Sequence, residues 1–106
     1  MTLGEILDDA AAKLAGVEQR ESDGGTEWST GGRLFAALSR APGVALETAE
    51  FRLDPPVLRA ALGTPDTAPS PRGDDWVAFR PPDLDRLAID RAVAWLGSAH
   101  RRAKAV

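Results

Sequence analysis

Six side chains in this sequence are of types that could act together: Trp28, Arg33, Phe35, Arg52, Trp76 and Arg80. Each lies in a stretch where apolar and polar residues alternate, the period of a half-buried strand. If helices cover one face of a sheet, Leu34, Ala36, Leu38, Phe51, Leu53, Val77 and Phe79 must point at them, and the opposite parity lifts the six onto the bare face. Planar rings beside guanidinium forks on one sheet suit stacking on bases or holding a planar acidic molecule. Base–aromatic stacking is worth about 1–3 kcal/mol per base, and Arg adds cation–π contact and phosphate-matching geometry. Arg72, just before Trp76, is placed to reach the same face from its loop. The competing reading is that these side chains merely clothe the sheet, Arg stems lying on rings and heads paired to Glu27, Glu50 or Asp54. Trp28 depends most on register, because a slip of one residue sends it inward.

Other chemistry is thin. The chain has no Cys, which excludes disulfides, thiol catalysis and thiolate metal sites, and its single His excludes a multi-His metal cluster. His100 sits near a basic helix end without an assigned carboxylate partner, so it reads as helix surface before general acid or base. Asp8-Asp9 and Asp74-Asp75 are adjacent carboxylates, which diverge, whereas hard-cation sites collect ligands at defined spacing. Gly31-Gly32-Arg33 reads strand–turn–strand, and a phosphate loop wants strand–turn–helix. No serine stands in a G-x-S-x-G elbow. No catalytic set, metal or cofactor is implied, and the expectation is a non-enzyme.

The 106 residues carry 13 Lys+Arg against 16 Asp+Glu, a formal charge of −3 that speaks against wholesale electrostatic binding to nucleic acid or anionic membrane. Eleven of the 13 cations are Arg, which leaves local surfaces suited to phosphate and carboxylate. That length fits one domain, residues 1–106. The apolar runs are too short to cross a membrane, and the acids of MTLGEILDDAAAK stand where a signal peptide needs basic residues, so a cytoplasmic location is expected.

The elements that must position these residues follow from the pattern. Thr2 and Glu5 form a capping box ahead of Leu3, Ile6, Leu7, Ala10, Ala11 and Leu14, a helix ended by Gly16. Residues 18–25 read as polar turn. A strand over 26–30, a Gly31-Gly32 turn and a strand over 33–39 make a hairpin; a turn at Ala41-Pro42-Gly43 leads to a third strand within 44–53. Asp54-Pro55-Pro56 opens a short helix with Val57, Leu58, Ala61 and Leu62 on its apolar side. Residues 64–75 read as a Pro-punctuated loop. Residues 76–80 form a fourth strand, and Asp83 caps a final helix to about 103 whose inward stripe is Leu84, Leu87, Ala88, Ala92, Trp95, Leu96 and Ala99. The expected fold is α+β, a two-layer sandwich with an antiparallel sheet of four or more strands, helices on one face and the order αβββαβα.

Four phrases in this order resemble the MmcQ/YjbR-like family of small bacterial proteins. Leu14-Ala15-Gly16-Val17-Glu18 is similar to its Leu-Pro-Gly-Val-Glu phrase, with Ala for Pro. Gly32-Arg33-Leu34-Phe35-Ala36 is similar to G-K-x-F-A, and Phe51-Arg52-Leu53-Asp54-Pro55 to L-K-x-D-P, each with Arg for Lys. Pro71-Arg72-Gly73-Asp74-Asp75-Trp76-Val77 is similar to a loop-to-strand phrase ending in Trp. Ala99-His100 stands where the family's last helix has Ser-Tyr. The resemblance, which also extends to a frataxin-like luciferase-associated group, implies a frataxin-like (CyaY-like) sandwich and a double-wing DNA-binding arrangement, and supplies no catalytic residues.

The sequence therefore leads to a binding module acting through Arg33, Phe35, Arg52, Arg72, Trp76 and Arg80. Its candidate partners are nucleic acid or a small aromatic or acidic ligand, as in an accessory or resistance protein; a protein-interaction domain, monomeric or weakly dimeric, is a further alternative.

Overall fold

In the computed structural model, residues 1–22, 24–40 and 46–105 are described. Thr2 and Glu5 open the first helix, α1 (Leu3–Ala11), as their spacing dictates: Thr2 Oγ1 accepts from the Glu5 N–H at 3.1 Å, and the Glu5 carboxylate accepts from the Thr2 N–H at 2.9 Å. The helix stops earlier than its apolar pattern implies. Ala12 is its C-cap, and the chain turns through residues 12–16 to Gly16 at φ +69°, a left-handed conformation that favours glycine.

Two paired strands follow, β1 (Val17–Ser22) and β2 (Gly25–Thr30), and Gly31-Gly32 links β2 to β3 (Arg33–Ser39). Both turn glycines have positive φ, +57° and +79°, as a two-residue turn matching the twist of the strands requires. The expected turn at Ala41-Pro42-Gly43 lies outside the described residues. β4 (Thr48–Arg52), α2 (Pro55–Leu62), β5 (Thr67–Pro69), β6 (Trp76–Phe79) and α3 (Arg86–Lys104) complete the chain. The result is an α+β sandwich, one antiparallel sheet in the order β1-β2-β3-β4-β6-β5 with helices on one face.

The sheet has two more strands than the four read from the sequence, and both lie at its edges. β1 runs Val-Glu-Gln-Arg-Glu-Ser and is mostly exposed, so no burial alternation marks it. β5 is three residues ending in a proline inside the expected 64–75 loop, and Pro69 is tolerated because an edge strand needs fewer donors. The order thus becomes αββββαββα.

The core lies between the sheet and the helices. Two cross-strand rows face the helices: Thr26–Leu38–Ala49–Phe79 and Trp28–Ala36–Phe51–Val77. Trp95 of α3 packs edge-on against Phe51 and Phe79, with ring centroids at 6.0 and 5.1 Å. α3 begins two residues later than expected: Asp85, not Asp83, is the N-cap, its carboxylate accepting from the Ala88 N–H at 2.9 Å. Ala88, Ala92, Trp95, Leu96 and Ala99 face inward as expected, but Leu87 is 71% exposed.

One irregularity decides where the candidate residues go. From a two-residue turn, regular pairing would continue 30–33, 29–34, 28–35. Instead Trp28 pairs with Ala36 while Ser29 pairs with Leu34, so Phe35 is an extra residue in β3. The bulge corrects three expectations. Trp28 moves with Ala36 to the helix side and is fully buried. Phe35 turns inward too and is fully buried against His100, ring centroids 5.5 Å apart. Arg33 shares its side with Thr30, which reaches the Gly16 carbonyl, and so Arg33 points toward α3 rather than the bare face.

Candidate functional site

The bare face of the sheet carries a closed ion-pair network. Glu27, Ala37, Glu50 and Ala78 form one row across it, and Arg52 pairs with Trp76 in the next. The segment after β5 folds over this surface. Ser70 donates to Glu50 through a short hydrogen bond, Arg72 Nε donates to Glu50 Oε1 at 2.9 Å, and Arg72 Nη1 lies 3.5 Å from Glu27. The Arg72 guanidinium stands 5.6 Å from the Trp76 ring centroid, and Gly73 lies close against the ring. Trp76 has the expected parity yet is only 7% exposed, because the loop roofs it. On this face the covering role, with Arg heads paired to Glu27 and Glu50, describes the arrangement. Arg80, just past the end of β6, is exposed.

A different place brings guanidinium groups together around open space. Arg33 and Leu34 at the start of β3, Arg52 at the end of β4, Asp54 before α2, and Ala99 and Arg102 on the last turns of α3 surround a cleft of about 470 Å³, with Phe35 beneath. That size lies within the range typical of small-ligand sites. Arg33 reaches it because of the bulge, and its Nη1 donates to the Ala103 carbonyl at 3.3 Å. Arg52 Nε donates to Asp75 Oδ2 at 2.7 Å; Arg102 reaches the same oxygen at 3.0 Å and Asp54 Oδ1 at 2.8 Å.

Among the described residues, three guanidiniums thus meet the two carboxylates of Asp54 and Asp75 around this cleft. Burial works against ionisation of Asp75, but the hydrogen bond and charge of Arg52, a local backbone hydrogen bond and the charge of Arg102 outweigh it and hold the carboxyl below its ordinary value. The lining divides in the same way. Leu34, Phe35, Ala99 and Ala103 give an apolar side, and the arginines give a polar rim. Such a cleft can take a molecule with an apolar body and one anionic group, which a guanidinium fork can bind by two hydrogen bonds.

Of the six residues singled out, Arg33, Phe35 and Arg52 meet at this cleft, Arg72 and Trp76 belong to the network on the sheet, and Arg80 lies just past the end of β6. The sequence does not bring Arg102 to Arg52: nothing local marks it as facing a residue 50 positions away. His100 is buried rather than on the helix surface, and its Nε2 lies 2.8 Å from the Ala15 carbonyl. A carbonyl only accepts, so Nε2 carries the proton. Among the described residues no group of three His, Asp or Glu could hold a metal ion, and no helix is long and apolar enough to cross a membrane.

No protein-family model matches the sequence, and no curated protein matches it. Among solved structures, a structural-genomics crystal structure of a protein from Pseudomonas syringae is similar in fold. Its TM-score is 0.71 at 12% identity, covering 98% of this chain and all of that one. At that identity the likeness establishes the shared α+β sandwich alone.

Proposed function

We propose that this chain is a binding module without catalysis of its own, of MmcQ/YjbR type, which holds a small monoanionic ligand with an aromatic or aliphatic body. The ligand sits in the cleft between the end of α3 and the adjoining ends of β3 and β4. The observation that carries this reading is the convergence of Arg33, Arg52 and Arg102 on an apolar-sided space of about 470 Å³. Arg33 is the least committed of the three, because its contact there is a backbone carbonyl at 3.3 Å. The lone imidazole is occupied by Ala15 and Phe35, which favours binding over acid–base chemistry.

The family resemblance also suggests DNA. The surfaces available for it favour the small ligand instead. The β1–β2 hairpin carries Glu18, Glu21 and Glu27 against Arg20, and the sheet face has its Arg72 paired to acids. Duplex binding draws most of its strength from uncompensated Lys and Arg on phosphates.

Calorimetric titration with an aromatic carboxylate, an aryl phosphate and short single- and double-stranded DNA tests the reading. Saturable binding of at least one small anion is expected, weakened about tenfold or more by Arg33→Ala, since a hydrogen bond to a charged group is worth about 1.5–3 kcal/mol. Binding of none of the small anions, or binding indifferent to both Arg33→Ala and Arg52→Ala, overturns it. Salt-sensitive binding of DNA alone supports the nucleic-acid reading.

A further inference from the structure

The outward side of α3 has a composition that the fold itself does not explain. Leu87, Asp90, Ala94, Gly97, Arg101 and Lys104 follow one another at alternating steps of three and four residues, so they form a single stripe along the helix. The stripe looks away from the sheet: Leu87 is 71% exposed, and Asp90, Ala94, Arg101 and Lys104 are exposed as well. Beside it Val93, 43% exposed, overlooks a groove of about 370 Å³ between α1 and α3 walled by Ile6, Ala10 and Leu14. This is an unpartnered helix face with an apolar flank.

Two observations say what covers it. The first is charge. An antiparallel copy of the same helix, related by a two-fold axis between Ala94 and Gly97, places Asp90 against Arg101 of the other copy at both ends of the contact. Leu87 then lies along the stem of Lys104, and Ala94 faces Gly97. Among the described residues Asp90 and Arg101 make no ion pair within the chain; Arg101 donates only to Ser98, at 3.1 Å. The face is therefore complementary to itself under a two-fold operation, which is what a closed dimer of identical chains requires.

The second observation is Gly97. A glycine in a helix interior costs about 1 kcal/mol relative to alanine. Packing inside the domain does not require the glycine: a Cβ at position 97 would meet only the far end of the Arg101 side chain, at 3.4 Å. Only the movable end of the Arg101 side chain lies above Gly97, and a second helix that approaches closely over Ala94 and Gly97 supplies the reason for the missing side chain.

We infer that this chain associates with a second copy of itself through the outer face of α3, the two helices antiparallel, with Asp90 of each paired to Arg101 of the other. The contact uses little more than one helix per chain. It falls short of the roughly 1,200–2,000 Å² typical of stable interfaces, so the dimer is weak and concentration-dependent. Apart from Lys104, which borders Arg33 and Ala103, it lies on the opposite side of α3 from the residues that line the ligand cleft, and stands or falls separately from the proposed ligand.

Sedimentation equilibrium over a wide concentration range tests it. The wild-type chain is expected to pass from monomer to dimer within the micromolar to millimolar range. Gly97→Leu should weaken association at least about tenfold, a loss of roughly 1.4 kcal/mol, while the circular dichroism of the monomer stays unchanged. Asp90→Arg and Arg101→Asp should each weaken association, and the two changes together should restore it. If Gly97→Leu does not fold, the charge exchange decides alone. A wild type that stays monomeric at millimolar concentration, a dimer indifferent to Gly97→Leu, or single charge changes that the double variant fails to rescue overturns the inference.

Discussion

Removing the Arg72 guanidinium tests whether the loop after β5 is held down by chemistry or merely lies where the chain leaves it. Glu50 is almost completely buried, and its carboxylate is satisfied by Ser70 and by Arg72 Nε at 2.9 Å. Arg72→Ala leaves that carboxylate with one partner. Breaking a fully buried pair from one side costs about 3–5 kcal/mol, and a hydrogen bond to a charged group about 1.5–3 kcal/mol. The Arg72 side chain retains 30% of its exposure, so water can replace part of what is lost, and we expect about 2 kcal/mol. For a domain of this length that lowers Tm by about 8–16 °C. Urea unfolding of wild type, Arg72→Ala, Glu50→Gln and the double variant then gives the coupling directly. It should come to about 1–2 kcal/mol, because the residues touch. Tryptophan emission supplies a second readout: Arg72→Ala uncovers Trp76 and should shift emission to the red, since Trp28 and Trp95 stay buried between the sheet and the helices. A loss below about 0.5 kcal/mol, the level of ordinary surface changes, with emission unchanged, refutes the reasoning.

Phe35→Ala should cost about 3–5 kcal/mol by urea unfolding, as for a fully buried ring, whereas a Phe on an open sheet face would cost far less. At the cleft, Asp75 has a folded-state pKa below its unfolded value, so its ion pairs contribute stability above the usual carboxylate range, and that contribution is lost as pH falls through the lowered value. Asp75→Asn should therefore be less stable than wild type near neutral pH and converge with it in acid, as read by Tm against pH.

Much of this architecture was legible because local and global signals agreed. The Thr2–Glu5 capping box, the Gly31-Gly32 turn, the alternation through β4 and β6, and the small-residue stripe of α3 each specify one local answer, and the core needs the same answer. What escaped had no local signature. β1 is a polar edge strand whose pairing comes from its backbone, and β5 is three residues with a proline. Hydrophobicity alone assigns Leu87 to the inward stripe of α3, whereas the N-cap at Asp85 makes it the second residue of the helix, on the outer side. The bulge is the costliest omission. Nothing in Thr-Glu-Trp-Ser-Thr or Arg-Leu-Phe-Ala-Ala announces an extra residue, and one extra residue reverses the parity of everything before it in the strand.

That reversal is also what builds the cleft. With Ala36 and Leu38 directed at the helices, regular pairing would send Arg33 and Phe35 to the opposite face, toward the carboxylates of Glu27 and Glu50. The bulge turns both around. Phe35 enters the core under the end of α3, where it fixes His100 and through it the turn at Ala15; Arg33 follows to the rim, within reach of the Ala103 carbonyl. Arg52 arrives from the other direction, drawn by Asp75 to the side that Arg102 already occupies. Three cations are thus gathered at one end of the sheet, while on the face itself Arg72 is outnumbered by Glu27 and Glu50. Like charges gathered this way cost free energy unless counter-charges lie among them, and Asp54 and Asp75 offset two of the three. The guanidiniums sit beside an apolar wall of Leu34, Ala99 and Ala103, and that juxtaposition, rather than an open field of rings and arginines, is what the bulge produces.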